Sequence, residues 1–171
     1  MPTLYYPCCF RLSGRDDYLI WYSNDQDGVL LNSSGRVAVF NNMEQLRNYA
    51  ASADLSLEAG KPAQYNLDLI DQWLAGPAKE TVQPTLFLEG WNLFDDVSRS
   101  VGGRKLFGAD VAFNDVYEKL FWGNNLPAVT PAGQQYEPVW LDEEVEKLRV
   151  ALNAGLCLFR NSIATVDQSG G

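Results

Sequence analysis

Turn residues cut the first forty positions into short β-rich runs, while the rest of the chain carries helical stripes. That segregation constrains the fold more than any other feature. Residues 5–12, 18–22, 29–32 and 37–40 are rich in β-branched and aromatic side chains. Between them lie Ser13-Gly14-Arg15-Asp16-Asp17, Asn24-Asp25-Gln26-Asp27-Gly28 and Ser33-Ser34-Gly35, which hold the Gly, Asn and Asp that tight turns need. Early strands followed by helices predict an α+β fold: an N-terminal antiparallel β-meander of about four strands with helices packed mainly on one face.

The helices are read from periodicity and caps. Asn41 or Asn42 caps a helix in which Met43, Leu46, Tyr49 and Ala50 share a face. Residues 51–63 read as a loop. Asn66 caps a helix over 67–75, which Gly76-Pro77 stops. Polar residues 76–85 look like a linker, too short to divide the chain, so residues 1–171 form one domain in this reading, with 167–171 as a disordered tail. A helix over 87–101 ends at Gly102-Gly103. Asn114 caps a helix over 115–122, and residues 124–139 look extended, with a strand near 136–140. The last clear helix covers 142–153 and ends at Gly155, with acids Asp142, Glu143 and Glu144 complementing its N-terminus. Residues 156–163 are apolar enough to pack back as helix or strand.

Composition narrows function. The chain has 171 residues, 22 Asp and Glu against 13 Lys and Arg, and a net charge of −9. That field repels phosphate backbones, so direct nucleic-acid binding is not expected, whereas a cationic partner is attracted. Acidity also serves ordinary solubility. No basic-then-apolar leader and no membrane-length apolar run are evident, which points to a cytoplasmic protein. Cys8, Cys9 and Cys157 lack metal-ligand spacing; neighbours Cys8 and Cys9 cannot easily bridge, and all three read as reduced thiols without a cofactor or metal role.

There is no His. That removes Ser-His-Asp and Cys-His nucleophile systems and nearly every catalytic zinc site. Gly102-Gly103-Arg104-Lys105 lacks the spacing of a phosphate loop. Carboxylate chemistry is what remains: Asp16-Asp17, Asp25 with Asp27, Asp95-Asp96 and Glu143-Glu144. Asp25-Gln26-Asp27-Gly28 fits a hairpin turn better than a calcium loop, because Ser23 and Ser34 stand at ligand positions. Asp95-Asp96 is read as early in its helix, where the dipole alone accounts for acids. A pocket holding two carboxyls of raised pKa would favour a carboxylate-dependent hydrolase.

Asn92-Leu93-Phe94-Asp95-Asp96-Val97-Ser98-Arg99-Ser100 and Tyr117-Glu118-Lys119-Leu120-Phe121-Trp122-Gly123-Asn124-Asn125-Leu126-Pro127 resemble immunity proteins of bacterial polymorphic-toxin and contact-dependent inhibition systems. The acidic helix Asp142-Glu143-Glu144-Val145-Glu146-Lys147-Leu148 is similar in style to the last helix of some of them, and the resemblance spans roughly residues 18–155. It implies a cytosolic antidote, not an enzyme, that binds one cognate toxin (often a basic nuclease) and blocks its active site. From the acidic charge, some of Asp16, Asp17, Asp25, Asp27, Asp95, Asp96, Glu143 and Glu144 are expected to line the interface. An acidic scaffold module unrelated to toxins and the carboxylate hydrolase remain as alternatives.

Overall fold

The computed structural model describes residues 2–107 and 111–166; the expected tail at 167–171 lies outside them. Strands β1 (Leu4–Leu12) and β2 (Arg15–Ser23) pair antiparallel in unbroken register from Leu4 opposite Ser23 to Leu12 opposite Arg15. Their two-residue turn, Ser13-Gly14, is left-handed at both positions (φ 55° and 74°). Such a turn matches the twist of the strands it joins. Its tip is clamped from below: the Asp68 carboxylate accepts the backbone N–H groups of Ser13 and Gly14 at 2.7 and 2.8 Å.

The antiparallel sheet and the helices against it form as the sequence predicts, but the meander is not a simple one. Strand β3 (Gly28–Val29) pairs antiparallel with β2. Strand β4 (Val37–Val39) leaves the sheet; next to it, Phe40 makes an isolated antiparallel bridge to Tyr18 of β2. All three β4 side chains are buried, so the strand needs a partner on its far side. That partner is the parallel strand β6 (Ile163–Thr165). A fifth strand, β5 (Ala63–Asn66), adds to β1 in parallel between the expected loop and the Asn66 cap, where no strand was expected, giving the sheet order β3-β2-β1-β5.

Five helices complete the described fold. Helix α1 (Met43–Ser52) starts where Asn42 accepts the Gln45 N–H, and α2 (Leu67–Ala75) where Asn66 accepts the Leu69 N–H. Helix α3 (Pro84–Gly102) begins within the expected linker, Pro84 supplying its first turn, and left-handed Gly103 ends it. Helix α4 spans Asn114–Gly123; Asn114 is its first residue and does not cap it. Residues 136–140 form no strand. Helix α5 (Asp142–Ser162) runs straight through Gly155. There the missing side chain lets the Phe94 ring of α3 lie against the α5 backbone.

Side-chain alternation divides the core. Cys8, Phe10, Leu12, Leu19 and Trp21 face α2, α3 and α5 in the larger cluster. Tyr5, Tyr18 and Ile20 face β4 and the Leu46 and Ala50 side chains of α1. Among the described residues no helix is long and apolar enough to cross a membrane.

Candidate functional site

The eight acids singled out in the sequence do not form one surface. Asp16 pairs with Arg11 at 2.8 Å on the exposed hairpin. Asp17 turns to Arg15, at 3.0 Å, and that guanidinium also reaches Asn41. Asp25 stays exposed at the β2–β3 turn. Glu144 caps α5 by accepting the Leu141 N–H and pairs with Lys119 at 2.8 Å, while Glu143 beside it is exposed.

Asp27, Asp95 and Asp96 do come together. They line a cavity of about 420 Å³ between the sheet and α3, with the Trp21 and Tyr65 rings on the sheet side and Arg99 and Lys105 completing the wall. A smaller cavity of about 180 Å³ abuts it, sharing Asp95 and Lys105 and extending to the Trp91, Phe107, Phe113 and Tyr117 rings.

Helix α3 holds this pair just past its middle, out of reach of either end of its dipole. Asp95 and Asp96 lie in the C-terminal half of α3, not early in it, so the first-turn stabilisation of acids does not reach them. The dipole therefore does not account for them, and the surroundings must. Asp96 accepts the Trp21 indole N–H at 2.9 Å and lies 3.4 Å from the Arg99 guanidinium. Arg99 in turn donates to the Asp27 carbonyl at 2.7 Å, tying α3 to the β2–β3 turn. Asp95 is buried and accepts the Leu106 N–H at 3.2 Å.

Both carboxyls titrate above the ordinary carboxylate range. Burial is the main cause for each; the Leu106 N–H, Lys105 and Arg99 pull Asp95 back, and the Trp21 N–H and Arg99 pull Asp96 back, while Asp27 and Asp95 push Asp96 further up. Burial, then the charge of Asp95, also raises Tyr117. Burial raises Tyr65 too, followed by the charges of Cys8, Glu89 and Asp96. The cleft is a negative, partly desolvated space walled by rings. Its lining contains no Ser, Thr or Cys nucleophile. Among the described residues, no three His, Cys, Asp or Glu side chains gather to hold a metal ion.

Sequence reasoning found the three Asp residues but missed Trp21, Tyr65, Arg99 and Lys105. Trp21 carried the only visible signal, a large ring on the core-facing register of β2. Tyr65 lies on a strand between the expected loop and the Asn66 cap, where no strand was expected.

No family model matches the chain, and no curated protein matches it. Among solved structures it is similar to the C-terminal domain of SatS, crystallised in complex with bromine. The two align with a TM-score of 0.53 at 14% identity, over 95% of this chain and 94% of that one. The likeness is one of fold.

Proposed function

We propose that this chain is a cytosolic immunity protein, which binds a basic toxin domain, such as a nuclease, and neutralises it without catalysis. The observation that carries the reading is the cleft. Asp95 and Asp96 are held in the middle of a helix, against burial, beside Trp21 and Tyr65. Perturbed acids kept at a structural cost mark functional positions, and a negative cleft walled by rings complements a cationic side chain through charge and cation–π attraction. The net charge of −9 extends that field and hastens encounter with a basic partner.

The test is survival. The basic toxin domain captured on this protein from its native host is expressed in cells with and without it. Rescue by the wild-type chain supports the reading. A toxin that kills equally in its presence contradicts it.

One observation favours a second reading, a carboxylate-dependent hydrolase: two carboxyls of raised pKa share a cavity. Under that reading Asp95→Asn or Asp96→Asn abolishes turnover of a fluorogenic glycoside or ester that the wild type cleaves. Under the binding reading neither protein cleaves any of them.

A further inference from the structure

Exposed apolar side chains concentrate at one end of the molecule. Nine large hydrophobic residues are exposed among the described residues, and six of them lie between positions 122 and 141: Trp122, Leu126, Val129, Tyr136, Val139 and Leu141. Contacts bring the two ends of this stretch together. Lys119 reaches from α4 to the Val139 carbonyl and lies over the Trp140 ring, 5.1 Å from its centre. A side chain at Gly123 would meet Pro138. Residues 138–141 therefore run beside the last turn of α4, where Trp122 projects, and lead into α5.

The face is held in shape before any partner arrives. The Asn125 amide donates to the Tyr136 carbonyl at 2.9 Å and accepts the Tyr136 N–H at 2.7 Å, closing the intervening loop as a strand pair would. Pro127, Pro131 and Pro138 stiffen it further. A preorganised apolar surface of this kind loses little entropy on binding, and its exposed rings suit anchor positions.

Charge identifies what covers it. Glu118, Glu137, Asp142 and Glu143 flank or interrupt the apolar residues along the chain and are all exposed. The only cation between 118 and 143 is Lys119, which is mostly buried and paired with Glu144. Lys79 approaches Asp142 at 3.6 Å from outside the segment. An acid-rimmed apolar face repels a second copy of itself and an anionic lipid surface alike.

We propose that the face formed by the end of α4, residues 124–141 and the start of α5 docks a basic protein whose contact centre is apolar. This rests on the reading of the chain as a binder of a basic partner, and it adds a surface separate from the cleft. Both border α4, the smaller cavity at Tyr117 and the docking face at Trp122.

The experiment follows the indole N–H resonances of the full chain in ¹⁵N NMR while a synthetic amphipathic peptide is added, with Leu on one face and Lys on the other. The expected result is a saturable shift of the Trp122 resonance, little change at Trp21, and no shift with the same peptide carrying Glu for Lys. Trp122→Ala, followed through backbone amides of residues 118–143, and the triple variant Glu118→Gln, Glu137→Gln, Glu143→Gln should each weaken binding about tenfold or more. Val139→Ser serves in place of Trp122→Ala if that variant loses its cooperative melt. Shifts centred on Trp21, equal binding of the Glu peptide, or dimerisation of the free chain by sedimentation would each overturn the proposal. The toxin reading fails separately, by lack of rescue in cells, so the two outcomes are distinguishable.

Discussion

Asp95 and Asp96 show how far a pair of residue names can be read. Their charge and adjacency were plain in the sequence. An early place in the helix does not fit even the expected span of 87–101, and the true start at Pro84 puts them deeper still. Nor does any local pattern announce that Trp21, 75 positions away, donates to Asp96. The raised pKa of both acids has a consequence for stability. A carboxyl whose folded pKa exceeds its unfolded value holds its proton longer in the native state, so its contribution falls as pH rises from the ordinary carboxylate range through the raised values. Asp95→Asn and Asp96→Asn should therefore gain stability relative to wild type as pH rises to 7, with the difference closing at acid pH. Melting temperatures across that range check this; a difference constant with pH would contradict it. Referencing to wild type matters, because the exposed Arg11–Asp16, Lys147–Asp115 and Arg149–Glu146 pairs lower their carboxyl pKa values and act in the opposite sense.

The thiols allow a second test at this scale. Cys8 and Cys9 are buried and Cys157 is exposed, all three free. Burial pushes the Cys8 thiol up to about 12 and raises Cys9 as well. One thiol, Cys157, should react promptly with a disulfide reagent in the native protein, and three after denaturation. Fast native reaction at Cys8, located by peptide mapping, would contradict the strand register.

At the scale of elements, local signals were read well and distant ones were not. The caps at Asn42 and Asn66 depend on neighbours in sequence, and the structure has them; the turn expected over residues 13–17 shortens to Ser13-Gly14, with Arg15–Asp17 taken into β2. Strands β5 and β6 depend on partners far along the chain, β5 on β1 and β6 on β4. Gly155 misled for the same reason: a glycine that commonly ends a helix is kept here for contact with Phe94. A Cβ on Gly155 would lie 2.2 Å from Phe94 Cδ2 and 2.9 Å from its Cβ, so the ring cannot simply swing away. Ala improves helix propensity by about 1 kcal/mol, but overpacking costs about 1–3 kcal/mol. Gly155→Ala should be destabilising by about 1 kcal/mol in urea titration. Gly90→Ala, which meets the mobile end of Ile70, should be tolerated better. The reverse order would mean that α3 and α5 do not cross at Gly155.

Over the whole molecule, the sequence conveyed the α+β class and the acidic field, and the structure distributes that field. Part of the acidity is spent on ion pairs such as Arg160–Asp71, at 2.9 Å, and part on clamping the hairpin through Asp68. Of what is left, part lies in the cleft, part around the Trp122 face, and part is scattered as exposed single acids such as Asp25, Glu44, Asp54, Glu58 and Glu80. That division explains why the eight acids named from sequence do not form a single surface: adjacency in sequence says nothing of which carboxylates already have a cation. Interface contributions should divide accordingly. Exposed Glu143 should mainly affect association rate and its salt dependence, while Asp96, held beside Trp21, should affect dissociation. The most direct measurement of the central claim is a calorimetric titration of this chain with the basic domain it captures in its host, at two salt concentrations. The account predicts saturable one-to-one binding that weakens as salt rises and is lost when Asp95 and Asp96 are both changed to Asn. Absence of binding heat, or binding indifferent to both salt and those two residues, would contradict it.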